Sequence, residues 1–150
     1  MTETERIADQ LTRAIEGNAW HGPALMELLE DVNAQKASSK KIEGAHSIWE
    51  IVNHIILDMN FVTRRVQGEV VNITPQDDWT KIKDFSEQAW QNTIEKLKAT
   101  SSKLKNIILD FPSVKLDDKI KESEQTYYLN LHGTIQHILY HAGQIAILKK

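Results

Sequence analysis

The chain has 150 residues, of which 41% are hydrophobic and 26% charged. That excludes a disordered or fibrous polypeptide and suits one ordinary domain over residues 1–150. Eighteen Lys and Arg against 21 Asp and Glu leave a net charge of −3, so a general nucleic-acid binder, which needs clustered positive charge, is not expected.

There is no cysteine, so disulfides, thiolate metal sites and a cysteine nucleophile are excluded, and any metal must be held by histidine and oxygen ligands. No apolar run approaches the roughly 20 residues of a membrane span. The opening MTETERIADQ is polar and helical in character, unlike a secretion signal. The expectation is a cytoplasmic protein with no membrane attachment. Three prolines and six glycines interrupt the chain, and the long segments carry helical rather than strand periodicity, which predicts an all-α fold.

In chain order, the spacing of Ile7, Leu11, Ala14 and Ile15 predicts a helix over about Thr4 to Glu16. Gly17 to Gly22 breaks it, and Pro23 suits the first turn of a new piece with Leu25, Leu28, Leu29 and Val32 on its apolar side. Residues 34–46 are small and polar and read as a connection. Ser47 and Glu50 form a capping box, Ser47 as N-cap and Glu50 at N3, opening a helix whose stripe runs through Ile48, Ile51, Val52, Ile55, Met59, Val62 and Val66, with Gly68 near its end. A loop over about 70–83 carries Pro75 and Trp79. A third long helix is predicted from about Phe85 to Leu109, stopped by Pro112. Residues 113–124 are charged and read as a solvated loop. The last helix is predicted over about Thr126 to Lys149. Four main helices suggest a four-helix bundle with its first helix broken.

Six histidines stand at positions 21, 46, 54, 132, 137 and 141. His137 and His141 are four apart on one helix, so both imidazoles emerge on one side of it. His54 sits in the middle of another long helix. Facing helices of a bundle can converge such side chains on one ion, and three protein ligands leave a position open for water or substrate. The opposing reading is that these histidines are solvated polar residues. At about 100° per residue, His137 and His141 fall roughly 110–140° from the centre of the stripe Ile135, Ile138, Leu139, Ala142 and Ala146, and His54 about 120° from its own. They would have to meet at a side seam, where Leu57, Phe61 and Leu148 keep the faces partly apolar. The motif is not the zinc-protease HExxH, because Ile138 stands where the general base would be.

The segments His46-Ser47-Ile48-Trp49-Glu50-Ile51-Val52-Asn53-His54 and His137-Ile138-Leu139-Tyr140-His141-Ala142-Gly143-Gln144-Ile145 resemble the DinB/YfiT-like superfamily. Trp20-His21-Gly22-Pro23 before a leucine-rich helix, and Asp78-Trp79 after the second long helix, fit the same family, so the resemblance covers nearly the whole chain. It implies an up-down-down-up four-helix bundle, commonly a homodimer, with a divalent metal, usually nickel or zinc, on three histidines. Carried over by position, these are His54, His137 and His141. Characterised relatives include thiol-dependent S-transferases that use bacillithiol or mycothiol. The implied activity is a metal-dependent transferase acting on a small-molecule thiol and an electrophile, with a metal-dependent hydrolase or a non-catalytic metal- or ligand-binding protein as the alternatives.

Two further residues are candidates for the chemistry. Glu50, four before His54, is a possible base or fourth ligand, set against its capping role. Gln144, one turn beyond His141, is a possible orienting amide, set against a simple surface amide. His46 is expected to pack or cap locally, and His132 points away from the pair. The default for Trp20, Trp49, Trp79 and Trp90 is core packing, with Trp79 the foremost exception. Leu129, Tyr140 and Ile147 lie outside the core stripes and are candidates for a dimer contact.

Overall fold

The four long helices and the short one at Ala34–Ser38 each start at a side chain that accepts from a free N–H of the first turn. Thr2 caps α1 (Glu3–Ile15) in a reciprocal box with Glu5. Asn33 caps the one-turn α3 (Ala34–Ser38), which follows the short α2 (Leu25–Leu29). Ser47 and Glu50 form the expected capping box at α4 (Ile48–Val66). Ser86 caps α6 (Glu87–Asp110), and Thr126 caps α7 (Tyr127–Leu148). The small α5 (Pro75–Asp78) opens on a proline, whose missing N–H costs nothing in a first turn. The computed structural model describes residues 1–150, and contains helices, turns and a single isolated bridge between Lys119 and Thr126.

Side-chain pairs fix the directions of the four long helices. Thr4 at the start of α1 meets Ser113 just past the end of α6, so those two run antiparallel. Glu3 lies beside His132, near the start of α7, so α1 and α7 run parallel. Trp49 packs on Trp90, both in the first turns of their helices, so α4 and α6 run parallel. His54 meets His137 while Asp58 meets Thr134, a descending register that makes α4 and α7 antiparallel. The result is the up-down-down-up bundle, with α1 and α4 across one diagonal. Its apolar stripes merge into one hydrophobic cluster of 31 buried residues, with Trp90, Leu97, Leu104, Ile55, Met59 and Ile138 fully covered. Burial of this kind contributes about 1.5–3 kcal/mol per large aliphatic side chain.

Three sequence expectations need correction. Residues 34–46 are not all connection: α3 lies within them, and it buries Ala34 and Ala37 because its small face docks on α4 and α6. Residues 113–124 are not wholly solvated: a turn of tight helix at Ser113–Lys115 drops Leu116 into the core, and Ile120 is buried as well. Trp20 does not pack: it is fully exposed, in a turn where Asn18 adopts φ 59° and Gly22 φ 132°. Trp49 and Trp90 do pack, and their indole N–H groups are satisfied by Thr93 and by the Val32 carbonyl. No helix is long and apolar enough to cross a membrane.

Candidate metal centre

The antiparallel crossing of α4 and α7 brings three imidazoles to the seam between them. Nε2 of His137 lies 2.9 Å from Nε2 of His54 and 3.1 Å from Nε2 of His141. One ligand nitrogen from each residue falls within 4.8 Å of the others. His141 is buried at 5% exposure, and the side chains of His54 and His137 are 11% and 26% exposed. The cluster is therefore partly covered and still reachable.

Two of the outer nitrogens show which hydrogens their rings carry. His54 Nδ1 is 2.9 Å from the backbone carbonyl of Asp78. A carbonyl only accepts, so Nδ1 holds the hydrogen, and in the neutral ring the lone pair sits on Nε2. His141 Nδ1 donates to Gln144 Oε1 at 2.6 Å, with the same consequence. His137 Nδ1 is buried and faces Asp58 Oδ2 at 3.4 Å, without a formed hydrogen bond. The Thr134 hydroxyl donates to that same carboxylate oxygen at 2.8 Å and fixes its direction.

Charge follows the same pattern. Burial pushes His141 below the ordinary histidine value, the neighbouring His137 and His54 add to the effect, and the bond to Gln144 opposes it. Burial acts to raise the Asp58 carboxyl, but His137 and Thr134 beside it outweigh that and hold it below its ordinary value. A neutral, inward-facing lone pair and an outward N–H held by an acceptor is the arrangement of metal-ligating histidine. Two imidazole nitrogens each about 2 Å from one ion stand about 3 Å apart. The donor set and its spacing fit a metal ion.

An aromatic wall closes one side. The Trp79 indole stacks on His54 with centroids 4.2 Å apart and planes 11° from parallel, and its other face stacks on His46 at 3.5 Å and 2°. Trp79 follows α5 directly, so the loop that supplies the Asp78 carbonyl also supplies the ring. Neither contact is a spacing property of α4 or α7. The Asp78-Trp79 dipeptide was the one available signal, and a backbone acceptor has no residue-type signature. His46 is half-buried in this stack, with Nδ1 3.7 Å from Glu50.

The other candidates divide. Gln144 joins the centre through His141. Glu50 does not point at the three nitrogens: its carboxylate accepts from the Ser47 N–H at 2.7 Å and lies 2.9 Å from Lys40 Nζ. Burial tends to raise its pKa, and Lys40 and Ser47 together bring it below the ordinary value. His132 lies beside Glu3 and Tyr128, away from the cluster. His21 is exposed in the turn before α2.

A family model described as the DinB superfamily matches residues 19–144, which include all three histidines and the Trp79 loop. No curated protein and no solved structure matches the chain.

Proposed function

We infer, for a chain that belongs to the DinB superfamily, a metal-dependent function centred on His54, His137 and His141. One observation carries the reading: Nε2 of His54 and Nε2 of His141 lie 2.9 and 3.1 Å from Nε2 of His137, with the His54 and His141 rings held from behind at Nδ1 and His137 Nδ1 facing Asp58. A proton on His137 Nε2 would bond only one of the two neighbouring lone pairs, whereas a shared cation satisfies all three rings at once. The proposed ion is nickel or zinc. When bound, it supplies positive charge that lowers the pKa of a thiol or water brought to an open position.

The chain's own residues do the rest. Asp78, Gln144 and Asp58 set the orientation of the three rings before any ion arrives. Trp79 covers the His54 face and keeps bulk water from it. Neither Glu50 nor any other carboxylate reaches the inner nitrogens as a proton acceptor, which favours a reaction whose nucleophile ionises readily. A low-molecular-weight thiol adding to an electrophile is such a reaction, and thiol S-transfer is the activity we propose. The proposed setting is the cytoplasm, where such thiols stay reduced.

Elemental analysis of the purified protein tests the centre. The expected result is about one nickel or zinc per chain, lost in His54→Ala and in His137→Ala/His141→Ala. No metal in the native protein, and none taken up from added zinc or nickel, would sink the reading.

A further inference from the structure

A cavity of about 440 Å³ opens beside the histidine cluster. Its walls include Ile42, Ala45, Ile51 and Leu148, with the Trp79 ring at the end nearer the cluster. His141 and Gln144 form the part of the wall shared with the centre, and His46 and Tyr140 are further lining residues that carry a polar group. No Lys, Arg, Asp or Glu lines it. The nearest carboxylate, Glu50, is turned away into its capping box and the Lys40 pair.

These features select the occupant. The volume suits a small organic molecule, which pockets of a few hundred Å³ hold. Away from the histidine end a charged group would lose hydration without finding a counter-ion, which is strongly unfavourable. An uncharged apolar molecule would instead bury its surface against aliphatic walls and the indole. Gln144 adds one directional group: its Oε1 is taken by His141, and its NH₂ makes no hydrogen bond within the protein. That amide can donate to a carbonyl, nitro or ether oxygen of the occupant while holding the imidazole next to it.

We propose that this cavity seats an uncharged, largely apolar small molecule with one hydrogen-bond acceptor directed at Gln144, and so admits the electrophile rather than a charged thiol. The assignment of the occupant as a substrate rests on the metal-centre reading above.

The test uses two dyes with one ring system, uncharged N-phenylnaphthylamine and its anionic sulfonate, titrated by fluorescence into the metal-free full chain, so that no bound cation attracts the sulfonate. Saturable binding of the uncharged dye, at least tenfold tighter than the sulfonate, is expected. Ile147→Glu, at an exposed cavity position, and Ala45→Phe should each weaken it tenfold or more. Leu129→Glu, an exposed apolar residue elsewhere on α7, should leave it unchanged and controls for folding. Equal affinity for the two dyes, or no saturable binding, overturns the proposal. So does a dimer that Ile147→Glu dissociates without any dye having bound, since the face would then be a contact between copies. Zinc uptake measured on parallel samples of the same chain separates the two readings. Zinc taken up without dye binding defeats the cavity alone; dye binding in a wild-type chain that takes up no metal defeats the metal centre, and with it the role of the occupant as substrate.

Discussion

The imidazole of His54 is aimed by a peptide bond: its Nδ1–H donates to the backbone carbonyl of Asp78, 24 residues further on, at 2.9 Å. That single bond joins the α4 helix to the loop after it and turns Nε2 toward His137. Because the acceptor is backbone, Asp78→Ala is expected to retain most metal affinity, and the ring of the next residue becomes the sensitive position.

Trp79→Ala removes the indole from between His46 and His54. Loss of such a supporting contact typically costs about 10–100-fold in metal affinity, and that range is expected in a zinc titration. Trp79→Phe keeps a stacking face and should recover part of the loss. Unchanged affinity in both variants would mean that the stack plays no part in holding His54.

Gln144→Ala deprives the His141 Nδ1–H of its acceptor. About a 10–100-fold weaker zinc affinity is expected, with Gln144→Glu restoring most of it because the carboxylate still accepts. The same titration checks both. If Ala and Glu behave alike, the hydrogen bond is incidental.

Metal should stabilise the fold measurably. At a free ion concentration 100 times Kd, binding to the native state adds about 2.7 kcal/mol. For a domain of this size each kcal/mol raises Tm by about 2–4 °C, so a rise of about 5–10 °C on adding zinc is expected in a thermal melt. His141→Ala should melt at the same temperature with and without zinc. A wild-type melt that zinc does not move would contradict the centre.

Glu50 is expected to act on stability rather than chemistry. Its folded pKa lies below the ordinary value of 4.5, so its contribution is present above the unfolded pKa and is lost as pH falls through the lower folded value. Glu50→Gln keeps the capping geometry, since glutamine also serves at N3, but loses the charge opposite Lys40. Its stability below pH 4.5 should therefore depend less on pH than the wild type's, while zinc content stays the same. Ser47→Ala, which removes the cap itself, should cost about 1 kcal/mol by denaturant unfolding. Loss of metal in Glu50→Gln would return that carboxylate to the centre.

Much of the fold was readable along the chain because helix signals are local. Apolar spacing located the four long helices, and the Ser47 and Glu50 pair marked the start of α4 within a residue. The i, i+4 spacing of His137 and His141 put both rings on one side of α7 before any partner was known. Position on a helical wheel also placed all three histidines away from the main stripes, at a seam, and that is where they lie. Local signals failed where docking decided burial. Ala34, Ala37, Leu116 and Ile120 are buried by their contacts, although the segments around them look polar. Trp20 is fully exposed, although tryptophan usually packs.

The residue types and spacings settled which chemistry was available: no thiolate, two histidines on one helix face, a third on a second helix, and an amide one turn on. Whether those groups meet was a matter of packing. The antiparallel register of α4 on α7 brings Nε2 atoms 83 residues apart to 2.9 Å, and the Asp78 carbonyl, the Asp58 carboxylate and the Trp79 ring set their directions. Spacing within one helix follows from its own geometry, but convergence between helices depends on how their side chains interlock, which no single segment encodes.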